Sequence, residues 1–198
     1  MKTLFSTFLF IFIFQNVYSQ QPCAPTIYSF PRDGFTITSD FNVAPTTDGG
    51  SIICGHNRDS TFHFDVYLIK VDLLGNMVWE QTYGGVEDDF GYAVHQTSDG
   101  GYIVIGSKEV IVNGNWLRSR IFLFKTNNNG IVEWEEEIGP DANKDYFGND
   151  IKILPNGEFL IIGTVGQYNR QMIIQKLDNA GNHIQTAYIC LNMITCIV

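Results

Sequence analysis

The residues with the most explicit chemistry are Asp141-x-Asn143-x-Asp145, which place carboxylate, amide and carboxylate oxygens at alternate positions. That is the donor pattern of a calcium loop. The glycine such a loop needs at its sixth position is displaced to Gly148, and no glutamate stands at the twelfth. A turn-rich acidic connection accounts for the spacing equally well, and Asp88 and Asp89 occupy the corresponding earlier connection. A second constellation is Asn113-Gly114-Asn115-Trp116. Asn-Gly marks a hairpin tip, and an indole beside it is suited to stacking on a sugar or a peptide, or to packing back on its own strand. Asn113, Asn115, Trp116 and Tyr168 are the candidate ligand-binding residues.

Catalytic residues are not evident. His56, His63, His95 and His183 have no ligand spacing, and there is no Gly-x-Ser-x-Gly elbow or His-Glu-x-x-His. Adjacent acids such as Glu135 and Glu136 face opposite ways on a strand and make poor acid–base pairs.

The elements that would position these residues repeat about every 50 residues. Asp48-Gly49-Gly50 precedes an apolar run, as do Asp99-Gly100-Gly101 and Asn156-Gly157-Glu158. Each is followed by a second apolar run ending in Lys70, Lys125 or Lys176, and then by a turn carrying Gly75, Gly130 or Gly181. Every unit reads as four short strands, the first over Phe41–Thr46, Tyr92–Thr97 or Asn149–Leu154. The expected fold is all-β, a partial β-propeller of about three four-stranded antiparallel blades over 40–84, 91–139 and 148–185.

Around this array, residues 1–19 read as a signal peptide. Lys2 precedes the apolar run Leu4–Phe14, with Val17 and Ser19 at a cleavage site. Residues 20–39 form a lead-in region and 186–198 an atypical apolar tail. The expected localisation is therefore exported: periplasmic, secreted or at the cell surface, with no membrane span after cleavage. The net charge of −9 disfavours nucleic acid as a partner. Cys23, Cys54, Cys190 and Cys196 have no repeating spacing that assigns a disulfide.

Asp72-x-x-Gly75-Asn76-x-x-Trp79, then Thr82-Tyr83-Gly84-Gly85 and Gln96-Thr97-Ser98-Asp99-Gly100-Gly101-Tyr102, resembles the blade repeat of secreted bacterial β-propellers. These are often exported by the type IX route. The Asp, Gly and Trp are also similar to the docking repeat of quinoprotein-like and kelch-like blades. That resemblance implies that Trp79 and Trp134 wedge between neighbouring blades. The third unit departs from it, with Gln185 at the tryptophan position. The expectation is a truncated or frame-shifted piece of a longer propeller; an atypical capping strand is the alternative.

The leading functional expectation is an exported, noncatalytic binding or adhesion module for a surface glycan or protein, with no cofactor unless calcium. A truncated fragment of a glycan-active or quinoprotein-like propeller enzyme, or an inactive truncated product, is the alternative. Loops of variable length on a repeated scaffold favour the links between the second and third strands of each unit, His56–Phe64, Lys108–Arg120 and Gly166–Arg170, with the connections Gly84–Phe90 and Gly139–Gly148, as the working face. An open blade edge offers unpaired backbone for self-association.

Overall fold

A computed structural model of the chain describes residues 36–37, 41–58, 62–112, 114, 116–166 and 170–189. The expected signal peptide, nearly all of the lead-in, the tail beyond Ile189 and the candidates Asn113, Asn115 and Tyr168 lie outside the described residues. So do Cys23, Cys190 and Cys196.

The described residues form strands and no helix. The first sheet holds β1 (Thr36–Ile37), β2 (Asn42–Pro45), β3 (Ser51–Arg58), β4 (Phe64–Val71) and β5 (Met77–Tyr83), with β1 and β2 both paired to β3. The second runs β6 (Asp89–Gln96), β7 (Tyr102–Val112), β8 (Trp116–Thr126) and β9 (Val132–Ile138). The third runs β10 (Tyr146–Ile153), β11 (Phe159–Val165), β12 (Gln171–Leu177) and β13 (His183–Ile189). All pairings are antiparallel between chain neighbours, apart from β1 with β3. These are the propeller-like blades the repeat predicts, and they do not close into a barrel.

The first strands of the second and third blades begin three residues earlier than the sequence pattern suggests, at Asp89 and Tyr146. A bulge is the cause. The register shifts between Gly91 and Ala93, and again between Gly148 and Asp150, leaving Tyr92 and Asn149 as extra residues. One inserted residue inverts the period-two alternation, so each strand looks as though it starts after its bulge.

Turn chemistry is repeated faithfully. Gly49, Gly100 and Gly157, and then Gly75, Gly130 and Gly181, all adopt φ between 79° and 87°. At the β4–β5 turn, the Asp72 carboxylate accepts from the backbone N–H groups of Leu74 and Asn76. Asn127 and Asp178 repeat this at the next two blades. Such side-chain mimicry of a backbone turn is why Asp and Asn lead these segments.

The core lies between blades. Ala44, Ile52, Cys54, Val66 and Leu68 of the first blade meet Val94, Tyr102, Val104, Phe122 and Phe124 of the second. Ile103, Ile105, Ile121 and Leu123 then meet Tyr146, Ile151, Phe159, Ile161 and Ile173 of the third. A fully buried aliphatic or aromatic side chain contributes about 1.5–3 kcal/mol. These shared layers therefore contribute to holding neighbouring blades together. Cys54 sits in the first layer, where burial pushes its thiol far above the usual range.

Candidate functional site

Each blade carries a lysine clasp on its short-turn end. Lys70 Nζ donates to Asp48 Oδ2 at 2.9 Å, and Asp48 Oδ1 accepts from Thr46 Oγ1 and Gly50 N. In the second blade Lys125 Nζ donates to Asp99 Oδ2 at 2.7 Å and also meets Glu133, while Thr97 Oγ1 and Gly101 N donate to Asp99 Oδ1. Burial alone would lift the Asp99 carboxyl, but Lys125 and the Thr97 hydroxyl outweigh it and hold the pKa at about 2. In the third blade the acid moves along the turn: Lys176 pairs with Glu158, which stands where the other blades have Gly50 and Gly101. These ionisable groups tie the second hairpin of each blade to the first.

On the opposite end, the blade connections hold backbone in place. Asp88 Oδ1 accepts from Phe64 N at 2.9 Å, and Asp145 Oδ1 accepts from Ser119 N at 3.1 Å. The first carboxylate caps the start of β4, and the second holds β8 three residues inside its start. Beside the first of these lies Asp89, 1% exposed. Its Oδ2 accepts from Gly85 N at 2.6 Å, and its Oδ1 is buried without a hydrogen-bond partner. Burial raises its pKa to about 7; the Gly85 N–H and Lys108 pull it down, and Asp65 and Glu137 push it up. Asp65 Oδ1 and Asp89 Oδ2 lie close together, since both crowd the point a Gly84 Cβ would occupy. The sequence reading missed this pair because Asp65 and Asp89 come from different blades.

The same end carries an arm. β7 and β8 are each 11 residues long, against 7 or 8 for β11, β12, β3 and β4. Their ladder continues through Glu109↔Ser119, Val110↔Arg118, Ile111↔Leu117 and Val112↔Trp116, and Gly114 turns the tip at φ 76°. Ile111 and Leu117, directly opposite one another, are 56% and 48% exposed. Of the candidate ligand-binding residues, Trp116 thus stands at the base of the arm's tip.

Trp79 and Trp134 lie against the following blade. Trp79 Nε1 donates to Asn128 O at 3.2 Å, and its ring meets Tyr102 edge-on at 5.7 Å. Trp134 lies 6.1 Å from Phe159 and closely covers Gly181.

Both acids of the calcium-like pattern are engaged in other bonds. Asp141 Oδ1 accepts from Asn143 N and its Oδ2 pairs with Lys144 at 3.3 Å, while Asp145 is committed to Ser119. Among the described residues, no group of three or more His, Cys, Asp or Glu is placed to hold a metal ion. Among those residues, no helix is long and apolar enough to cross a membrane. No protein-family model matches the chain, and no curated protein matches it significantly.

Proposed function

We propose that this protein is an exported, noncatalytic binding or adhesion module of propeller-like blades, and that the β7–β8 arm docks on an apolar patch of a partner protein. The arm is the observation that carries the reading. An exposed apolar pair such as Ile111 and Leu117 keeps hydrocarbon against water and adds little to the fold, whereas a partner that covers it takes that surface out of water. Its neighbours suit a contact rim: Glu109, Arg118 and Ser119 are polar and partly exposed. The ionisable groups of the array support a noncatalytic role, since the lysine clasps and the Asp88 and Asp145 carboxylates serve structure. The apolar run Leu4–Phe14 behind Lys2 supports export, and the blade array supplies a base that keeps the arm's register.

Selection of a phage-displayed peptide library on the immobilised full chain tests this. Enriched peptides should bind the wild type and lose at least about tenfold in affinity against the double variant Ile111→Asp, Leu117→Asp. Equal binding to both proteins would count against the arm as the contact element.

A further inference from the structure

On the short-turn end, the seam between the second and third blades opens into a cleft of about 370 Å³, within the roughly 300–1,000 Å³ usual for small-molecule sites. Ser98 and Asp99 of the β6–β7 turn line it together with Asn156 of the β10–β11 turn, Asn179 and Lys125. Ile153 and Phe159 supply its apolar part.

The cleft is a break in the repeat. At the preceding seam, Thr47 N donates to Gln96 Oε1 at 2.7 Å and Gln96 Nε2 donates to Gly100 O at 3.2 Å. One side chain there stitches the turns of neighbouring blades together. Ile153 holds the Gln96 position in the third blade, since Ile153 pairs with Phe159 as Gln96 pairs with Tyr102. An isoleucine side chain can make neither bond. The turns it leaves unstitched are the walls of the cleft.

The lining also indicates what would enter. Asp99 is ionised and its side chain is half-exposed, so it offers acceptor lone pairs to hydroxyl groups. Asn156 and Asn179 offer amides that donate and accept. The charge of Lys125 is already matched by Asp99 and Glu133, which leaves no excess positive charge to draw a phosphate or carboxylate. We infer that this cleft binds a neutral polyhydroxylated ligand, a small saccharide, with Asp99 and the two asparagines reading its hydroxyls. The site is on the opposite end from the arm and does not depend on it.

Ligand-detected NMR on the full chain tests this with glucose, galactose, mannose, N-acetylglucosamine, cellobiose and lactose, beside glucuronate and glucose 6-phosphate. At least one neutral sugar should bind saturably. Ile153→Gln, which rebuilds the Gln96 stitch, should weaken it about tenfold or more, as should Asn156→Leu. Ile111→Asp on the arm should leave it unchanged. If Ile153→Gln does not fold, Asn156→Leu decides the matter alone. The proposal is overturned if no neutral sugar saturates, if the charged sugars bind in preference, or if binding survives in the folded cleft variants.

Discussion

Gly148 lies against the carbonyl of Gly106 in the preceding blade: a Cβ built on it would stand 2.7 Å from that oxygen. Gly91 bears the same relation to Gly55, at 2.8 Å. Each glycine is paired in its own sheet with a further glycine, Gly163 or Gly106. Neighbouring blades therefore approach backbone to backbone at this point. Side chains crowd the same points, Ile105 at Gly148 and Cys54 and Val66 at Gly91, but shifting them leaves the carbonyl in place, so relief requires the blades to separate.

Gly91→Ala and Gly148→Ala should therefore each destabilise the protein by about 1–3 kcal/mol. The two changes act on different seams, so their effects should add to within about 0.5 kcal/mol. Urea unfolding of the single and double variants measures this, and midpoints equal to the wild type would show that the blades are looser than their spacing implies.

The lysine clasps should differ in strength. The Lys125 side chain is 8% exposed and bonded to two carboxylates, whereas that of Lys176 is 33% exposed and bonded to one. Burial pulls the Lys125 ammonium down, but its bonds to Asp99 and Glu133 leave its pKa above the usual value. Lys125→Met should cost about 2 kcal/mol, the scale of hydrogen bonds to charged groups, and Lys176→Met less than about 1 kcal/mol. The Asp99 contribution is present above the unfolded carboxyl value, near 4, and disappears as the pH falls through about 2. Acid titration of thermal stability should show that loss in the wild type and much less of it in Lys125→Met.

Asp89 has the opposite sign. Its folded pKa of about 7 is raised, so the folded state favours the protonated form. The associated stability is complete below the unfolded value and is lost as the pH rises through about 7. An asparagine at this position keeps an acceptor for Gly85 N and gains a donor beside Asp65. Asp89→Asn should be more stable than the wild type at pH 8, by of the order of 4 kcal/mol, and the advantage should vanish only below about pH 4. Glu109, also raised by burial and by Asp88, acts in the same direction in both proteins and cancels in the difference. A difference that does not change with pH would place Asp89 in a wetter setting than its burial indicates.

The repeat was legible because turn residues and apolar runs are local signals. Asp48, Asp99 and the glycines beside them specify hairpins by their own conformational preferences. Lys70 and Lys125 could be counted as repeat markers but not assigned partners, since the clasp joins residues 22 and 26 positions apart. The tip Asn113–Trp116 was recognised from its Asn-Gly pair, yet the arm beneath it was not. Ile111 and Leu117 are ordinary strand residues until the ladder sets them opposite one another with about half of each exposed. The cleft was hidden for a related reason. It follows from what Ile153 cannot do, and only the stitch made by Gln96 at the other seam reveals the loss.

The two seams are unequal, and unfolding should follow that difference. Between the first and second blades, Tyr83 Oη donates to Gly130 O at 2.7 Å, Val94 N donates to Asn42 Oδ1 at 3.1 Å, and Gln96 and Trp79 add the bonds described above. The positions of Tyr83 and Gln96 are filled by Ile138 and Ile153 at the second seam. The third blade is also less covered on its far side: Leu160, Ile162, Met172 and Ile174 are half-buried, where their counterparts Ile103, Ile105, Ile121 and Leu123 are fully buried. In a linear array, stability is a sum of unit and neighbour terms, so the unit with the weakest seam opens first. Native-state hydrogen exchange should find the amides of β11 and β12 exchanging through a smaller opening than those of β7 and β8. Ile153→Gln should narrow the gap by restoring a stitch at the second seam. Uniform protection across all three blades would mean that the array opens as a single cooperative unit and that the missing stitch has no energetic consequence.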